Sequence, residues 1–286
     1  MHIIERLKIA SSPYQISIFR IVVGLHILYA CSSKIFDLLL AVQSQQNVTV
    51  LLPHSLQSYL FENCIPFIRV LTMVLAAFLV IGLFTRYILP VLTISFLLLF
   101  SFYYQGVNAP IHWLYLWFPL IVLCFSKCSD VLSVDSLIKK KTVTVSVAYT
   151  WPLELVSVWF VYIYFFAGIA KLLPLQKFVV WINGETSRHI IYNRYLDSPF
   201  HYIFGAPFFD YSKPSIFFSI LSIGAVVIEL STLLLLFTKR YTVLILMLVV
   251  MMHLFLYMCG VAGFLQTALV LGVALLPNRY FKFKTG

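Results

Sequence analysis

Eight apolar segments, separated by short polar stretches, constrain this chain more than any other feature of its sequence. Runs of about 17–25 apolar residues suffice to cross a bilayer as helices. The chain is 62% hydrophobic and only 10% charged, whereas soluble domains carry about 25% charged residues. The sequence therefore predicts an all-α membrane protein, a bundle of about eight transmembrane helices in a single domain over residues 1–286. We expect the spans at about residues 16–40, 66–85, 87–104, 112–127, 152–172, 215–237, 241–258 and 260–277.

The lysines and arginines of the short loops predict the orientation of the spans. They gather on one side, whereas the connections around 105–111 and 259–261 hold none. Short cytoplasmic loops are enriched in these residues, so we expect both termini in the cytoplasm. Segment 173–214 then lies outside, where its aromatic and charged residues predict an extracytoplasmic cap of short helices on the membrane surface. The net charge of +10 follows from the same bias, and no nucleic acid partner is expected.

Among the ionisable side chains within the spans or at their ends, four are candidates for a common site: His112, Lys171, Glu229 and His253. The alternating span directions place His112 and Lys171 at the outer ends of their helices and Glu229 near the middle of its helix. His253 lies on the order of 18 Å from the cytoplasmic end of its helix. A charge at the bilayer centre costs roughly 2.5–3.5 kcal/mol on insertion scales, so each of these groups is expected to have a structural or functional role. Their convergence on the outer half of the bundle is typical of a buried polar site.

Each of the four also has a structural explanation. Lys171 could be an anchor whose ammonium reaches the interface, and His112, beside Trp113, could belong to an interfacial aromatic belt. His253 could make a hydrogen bond between helices. Glu229 is the hardest to explain in this way, because a carboxylate within the membrane must be protonated or paired.

Other polar residues of the spans are expected to be structural. Arg20 lies low in the first span, and we expect its guanidinium to extend to the cytoplasmic face. Lys34 and Asp37 are spaced to pair on one helix face. Cys124 and Cys128 have three residues between them and stand at a helix end, and we interpret them as small hydrophobic core residues. No metal is therefore expected.

Several stretches, taken in order, resemble the vitamin K-dependent γ-glutamyl carboxylase family, whose bacterial branch is the HTTM domain. The signature helix and loop of the family are similar to "YFFAGIAKL" (164–172) and "WING" (181–184). Other parts of the family are similar to "IGLFTRY" (81–87), "LIVLCFSKCSDVLSVDSL" (120–137) and "IELSTLLLLFTKRYTVLILMLVVMMHLFLYMCGVAGF" (228–264). The resemblance covers roughly residues 10–278. It implies a short bacterial-type form without the family's C-terminal soluble domain, in the inner (plasma) membrane, with its active site toward the outer face.

The resemblance also implies a chemistry. In the carboxylases the lysine of an AG-x-x-KL motif deprotonates a reduced naphthoquinone, and Lys171 stands at the matching position. Oxygen then reacts with the hydroquinone anion, the product removes a γ-proton from a peptide glutamate, and CO2 traps the carbanion. The family's histidines and acidic residue match His253, His112 and Glu229, which become further catalytic candidates. The expected cofactor is a vitamin K-type naphthoquinone in its reduced form (menaquinol), with O2 and CO2 as co-substrates and a secreted or membrane-associated peptide as the substrate.

Two departures from the family leave other functions open. The soluble domain that holds the peptide in the full carboxylases has no counterpart in these 286 residues. The family's asparagine–histidine pair appears here as "NAPIHW", with Asn108 and His112 separated by three residues. The alternative is a non-catalytic or differently acting membrane factor for the maturation or export of a secreted peptide. A transporter is a weaker third interpretation, because no inverted repeat is visible.

Overall fold

The described part of the chain is helical. In the computed structural model its β-type pairing is limited to one antiparallel bridge between Ser11 and Ser146, and the predicted all-α class is confirmed. The structure describes residues 3–32, 59, 63–106, 114–140, 143–173, 175–194, 196, 198–205, 213, 215–261 and 264–281. The helices are α1 (Ile3–Arg6), α2 (Pro13–Ser32), α3 (Ile65–Ile81), α4 (Thr85–Gly106), α5 (Trp117–Cys124), α6 (Val134–Lys139), α7 (Thr150–Leu172), α8 (Leu175–Ile182), α9 (Glu185–Arg194), α10 (Pro199–Phe204), α11 (Ile216–Ser231), α12 (Leu234–Phe237), α13 (Thr242–Met258) and α14 (Phe264–Leu275).

Three helical stretches among the described residues are long and apolar enough to cross a membrane. They are Pro13–Ser32, Val147–Leu172 and Ile216–Phe237, at the predicted first, fifth and sixth spans. Four further apolar helical stretches of 10–17 residues lie at Ile65–Ile81, Thr85–Leu99, Thr242–Met258 and Phe264–Leu275. The count of about eight spans therefore stays a prediction, and residues 33–40 of the first span, with Lys34 and Asp37, lie outside the described residues.

The chain divides into two compact units. The first comprises residues 1–6 and 157–277, and the second comprises residues 7–156 and 278–286. In the second unit α2 packs on α3, α3 on α4, and α4 on α5. In the first unit α8 packs on α9 and α11, while α13 packs on α11 and α14.

In the second unit, α2 buries one face against α3. Phe19 and Val23, one turn apart, are both completely buried. At Gly24 a Cβ atom would lie 2.8 Å from a side-chain methyl of Val80 and 3.2 Å from the carbonyl oxygen of Ala76. The absence of a side chain at this position therefore lets the two helix backbones approach closely.

Asp135 fixes the turn between α3 and α4 in the same unit. Its two carboxylate oxygens each accept a 2.9 Å hydrogen bond, one from the backbone N–H of Phe84 and one from that of Thr85. These bonds satisfy amides at the start of α4 that have no partner within the helix. Burial alone would raise the pKa of Asp135, but the hydrogen bonds from Thr85 and Phe84, together with the charge of Lys139, hold this pKa below its usual range. Phe84 has φ 50°, which is unfavourable for a residue with a side chain, so Asp135 stabilises a strained turn.

Arg20 of α2 is completely buried. Its Nη2 donates a 2.6 Å hydrogen bond to the carbonyl oxygen of Leu132, and a Cβ atom at Gly82 would collide with its guanidinium. The extension of Arg20 to the cytoplasmic face stays a prediction, but its guanidinium is buried in the protein and not exposed to water. The loop before α6 supplies a carbonyl oxygen in place of water, so the guanidinium keeps an acceptor without leaving the protein.

In the first unit, the N-terminal segment is tied to the C-terminal half of the chain. Nη1 of Arg6 donates hydrogen bonds to the carbonyl oxygens of Leu235, at 2.7 Å, and Leu236, at 3.2 Å. The last carbonyls of a helix lack partners within it, and a cation there also interacts favourably with the helix dipole. Arg6 therefore caps the short helix α12 from 229 residues away in the sequence.

Three short helices, α8 to α10, lie within the predicted cap segment 173–214. Ile191 of α9, Phe218 of α11 and Cys259 form a small buried cluster. Gly184, between α8 and α9, has φ +81°, and a Cβ atom there would lie 2.5 Å from the backbone nitrogen of Ser219. Only glycine fits this contact between the α8–α9 turn and α11. The position of these helices at a membrane surface stays a prediction.

Candidate active site

Lys171 and Glu229 form an ion pair inside the first unit. Lys171 is next to last in α7 and Glu229 lies on α11. Nζ of Lys171 is 2.5 Å from both carboxylate oxygens of Glu229, and it also donates a 3.4 Å hydrogen bond to the carbonyl oxygen of Ala167. The side chains of Lys171 and Glu229 are only 18% and 8% exposed. The ammonium is thus directed at a carboxylate, and Glu229 obtains the partner that a buried carboxylate needs.

A glycine one turn before the lysine makes this approach possible. A Cβ atom at Gly168 would lie 3.0 Å from Cδ2 of Leu230 and 3.3 Å from Cβ of Glu229. A larger residue here would require the Leu230 side chain or α11 to shift next to the residue that pairs with Lys171. The glycine of "AGIAK" (167–171) therefore sets the separation of the two helices that carry the pair.

A second buried pair joins α7 to α13. The hydroxyl of Tyr164 and Nε2 of His253 are 2.8 Å apart, and the two residues are 5% and 6% exposed. Phe264 of α14 stacks on the imidazole, with ring centroids 5.7 Å apart and planes at 16°. The other imidazole nitrogen, Nδ1, is buried and has no hydrogen-bond partner among the described residues. A buried polar atom without a partner is costly, so this atom is the natural contact for a bound molecule.

The two pairs belong to one cluster. Tyr164 and Lys171 are seven residues apart on α7, about two turns, so they project from the same face of the helix. An electrostatic interaction between Lys171 and His253 links the two pairs. Three helices thus bring together an amine, a carboxylate, an imidazole and a phenol in a poorly exposed site.

Trp181 contributes an aromatic ring to the cluster from α8. Nζ of Lys171 lies 5.2 Å from the centroid of the Trp181 ring, a distance at which an ammonium is attracted to an indole face. The ammonium therefore contacts a carboxylate and an aromatic face at once.

Of the four candidates from the sequence, the structure brings three together: Lys171, Glu229 and His253. The fourth, His112, lies outside the described residues. Sequence reasoning missed Tyr164 and Trp181, although both stand in the quoted stretches "YFFAGIAKL" and "WING". The spacing of seven residues between Tyr164 and Lys171 was a signal for a shared helix face.

The comparison with known families agrees with the sequence resemblance. The family model of the HTTM domain matches residues 10–271. The chain belongs to the HTTM domain family. This match covers all the described residues of the cluster, and the HTTM domain is associated with the vitamin K-dependent carboxylases. With the long apolar helices, it identifies an integral membrane protein. No curated protein and no solved structure is significantly similar to the chain.

Proposed function

We propose that this HTTM-domain protein is a membrane enzyme in which Lys171 acts as a base on a reduced vitamin K-type naphthoquinone, menaquinol. The reaction, related to that of the carboxylases, consumes O2 and CO2 and modifies a glutamate of a secreted peptide at the outer face of a bacterial inner membrane. The observation that carries the proposal is the buried Lys171–Glu229 pair, with both carboxylate oxygens 2.5 Å from Nζ, next to the His253–Tyr164 pair.

The residues of the cluster suit a reduced quinone. Such a molecule is a flat aromatic ring with two hydroxyl groups, and it reaches the protein through the lipid. The cluster offers the rings of Trp181 and Phe264 for packing. It also offers a ligand oxygen the Nδ1 of His253, which has no hydrogen-bond partner in the described part of the chain. If the Tyr164 hydroxyl donates to Nε2 of His253, Nδ1 carries the proton and is a hydrogen-bond donor. When bound, the quinol would supply the O2-dependent oxidation that generates the strong base required for carboxylation.

The Lys171–Glu229 pair can hold or release the proton that base catalysis requires. Lys171 acts as a base only as a free amine, so its ammonium must first lose a proton. A carboxylate oxygen of Glu229, 2.5 Å away, is positioned to accept that proton. Low exposure disfavours separated charges, which helps the neutral pair to form. The amine of Lys171 can then take a proton from a ligand hydroxyl, while exclusion of water protects a carbanion from reprotonation.

The test uses the full chain in lipid nanodiscs with menaquinol, O2, isotopically labelled bicarbonate and a small secreted peptide encoded beside the gene. We expect quinol-dependent oxygen consumption and the mass gain of one CO2 on the peptide. Lys171→Met should abolish both while the protein remains folded. The matched control is Lys213→Met, which changes an exposed lysine of the same unit and should leave both readouts unchanged.

Two results would contradict this proposal. Full activity in Lys171→Met would exclude Lys171 as the base. A wild-type protein that binds no naphthoquinone and leaves the peptide unmodified would favour a non-catalytic factor for peptide maturation or export. That alternative predicts that conservative changes at Lys171 are tolerated, whereas changes within 173–214 are not.

A further inference from the structure

Two segments of the second unit that are distant in sequence are held together: residues 84–87 at the start of α4 and residues 137–140 at the end of α6. The link between them is Asp135. Its carboxylate accepts hydrogen bonds from two backbone N–H groups at the start of α4, and its own backbone N–H donates a 3.0 Å hydrogen bond to the carbonyl oxygen of Gly82. These bonds fix α6 against the turn between α3 and α4. We call residues 84–87 and 137–140 together the basic apolar patch.

The basic apolar patch exposes large apolar side chains. Leu137 and Ile138 of α6 are 74% and 68% exposed, and Phe84 and Tyr87 of the other segment are 61% and 72% exposed. Single exposed apolar residues are common on protein surfaces, but a group of them on two linked segments is typical of an interaction site. We therefore expect the patch to be covered by an apolar partner.

Basic side chains accompany the apolar ones. Arg86, Lys139 and Lys140 are exposed. The only acidic residue in the sequence from 81 to 87 and from 132 to 140 is Asp135, whose side chain is buried and bound to backbone amides. The two segments thus present three positive charges and no exposed carboxylate of their own, so the partner should be anionic as well as apolar.

An exposed apolar side of α4 continues the patch. Tyr87, Val91, Ile94 and Leu98 are all exposed, and their spacing of four, three and four residues puts them on one side of the helix. In an integral membrane protein, a continuous apolar side of a helix is suited to contact with acyl chains. The basic apolar patch stands where this side begins, at the level where lysine and arginine side chains meet lipid headgroups.

We propose that the basic apolar patch binds anionic phospholipids of the adjoining leaflet. Arg86, Lys139 and Lys140 contact the headgroup phosphate, while the apolar side chains of both segments enter the region of the acyl chains. A nucleic acid or a soluble acidic protein would match the three charges, but it would not match the apolar side that continues along α4. The inference goes beyond the proposed function and uses no residue of the Lys171 cluster.

The size of the lipid preference follows from the number of charges. One lysine or arginine near an anionic membrane surface strengthens binding about fivefold, so three correspond to about 100-fold. Salt should weaken this preference, because exposed charges are screened over about 8 Å at physiological ionic strength. The apolar side chains do not distinguish headgroups, so they should favour anionic and zwitterionic lipids equally.

The test uses the full chain in phosphatidylcholine nanodiscs that contain a small fraction of a photoactivatable lipid. This lipid is either phosphatidylglycerol or phosphatidylcholine, with the same diazirine in its acyl chain, and mass spectrometry locates the labelled residues after irradiation. Ile94, on the exposed side of α4, is the internal reference. The variants are Lys139→Gln with Lys140→Gln, and this double variant with Arg86→Gln added. The matched control is Lys213→Gln, which changes an exposed lysine outside the patch.

We expect phosphatidylglycerol to label the basic apolar patch more than phosphatidylcholine does, by a factor that approaches 100 at low salt. The two lipids should label Ile94 equally. The preference at the patch should fall to about fivefold in the double variant and disappear in the triple variant, while Lys213→Gln should match wild type. If the triple variant does not fold, the double variant decides, because both of its lysines are exposed.

Three results would overturn the proposal. Equal labelling of the patch by both lipids would show that it has no preference for anionic headgroups. No labelling by either lipid would show that a second copy of the chain or a soluble partner covers the patch. A further sample contains excess glycerol phosphate, with sodium chloride at the same ionic strength as its control. If glycerol phosphate alone abolished the preference, the patch would be a site for free phosphate esters and not for lipid.

Discussion

The buried Lys171–Glu229 pair makes a quantitative prediction about stability. Two unit charges about 4 Å apart attract by about 4 kcal/mol at an effective dielectric constant of 20, and desolvation offsets part of this. Removal of one partner from a buried pair costs about 3–5 kcal/mol. Because the Lys171 side chain is 18% exposed, we expect the lower end, about 3 kcal/mol, for Lys171→Met or Glu229→Leu alone. The double variant should be about as stable as either single variant or more so, giving a coupling energy of about 3 kcal/mol.

The assay is reversible unfolding in mixed micelles, followed by tryptophan fluorescence as dodecyl sulfate is added, for all four members of the cycle. The measurement has an internal check. Lys171→Met leaves a carboxylate without a partner, so its penalty should shrink as the pH is lowered and Glu229 takes up a proton. The penalty of Glu229→Leu should shrink instead as the pH is raised, because the unpaired amine can then lose its proton.

A control pair lies in the same unit. Glu185 and Arg188 form an i,i+3 ion pair on α9, 2.8 Å apart, with side chains 26% and 15% exposed. Pairs of this kind contribute roughly 0.2–0.5 kcal/mol, so the same cycle on Glu185 and Arg188 should give a much smaller coupling energy. A Lys171–Glu229 coupling as small as that of the control pair would refute our account of the buried pair.

Two further predictions concern other parts of the molecule. Asp135 has a pKa below its usual range because the hydrogen bonds from Thr85 and Phe84, together with the charge of Lys139, outweigh its burial. Its contribution to stability is therefore complete above the unfolded pKa and is lost as the pH falls through the folded pKa. Asp135→Ala should cost about 1–2 kcal/mol of stability near neutral pH, and the stability of the variant should fall less steeply as the pH is lowered. A pH series of thermal melts in which wild type and variant lose stability in parallel would contradict this. A Cβ atom at Gly168 would lie 3.0 Å from a side chain of α11, whereas one at Gly224 meets nothing within 4 Å. Gly168→Val should thus destabilise the protein by about 1–3 kcal/mol and reduce quinol-dependent activity, while Gly224→Ala should be neutral or slightly stabilising; equal melting temperatures for the two variants would count against the packing argument.

The helical class and the approximate places of the helices could be predicted because they depend on the length of apolar runs alone. Alternating span directions also put Lys171, Glu229 and His253 on the same half of the bundle. The identity of each partner could not be obtained in this way. The pairing of Lys171 with Glu229 depends on how closely α7 and α11 approach at Gly168, and such packing detail is not encoded in hydropathy.

The environment of Arg20 could not be predicted from the sequence. Its position near a span end predicted a guanidinium in water, because long cationic side chains usually extend to the interface. The folded chain instead offers it the carbonyl oxygen of Leu132, which lies 112 residues further along the sequence. A contact between such distant residues depends on tertiary structure, so local sequence gives no sign of it. Trp181 was not predicted as a site residue for a related reason, because its contact with Lys171 depends on the turn that places its ring over the ammonium.

The cap that Arg6 places on α12 has a consequence for biogenesis. The first unit combines residues 1–6 with residues 157–277, and Arg6 donates hydrogen bonds to Leu235 and Leu236. During synthesis these hydrogen bonds can therefore form only after the ribosome has made most of the chain. We therefore expect the contact that joins the N-terminal segment to the unit of the Lys171 cluster to form late in folding, because contacts between residues distant in sequence form slowly.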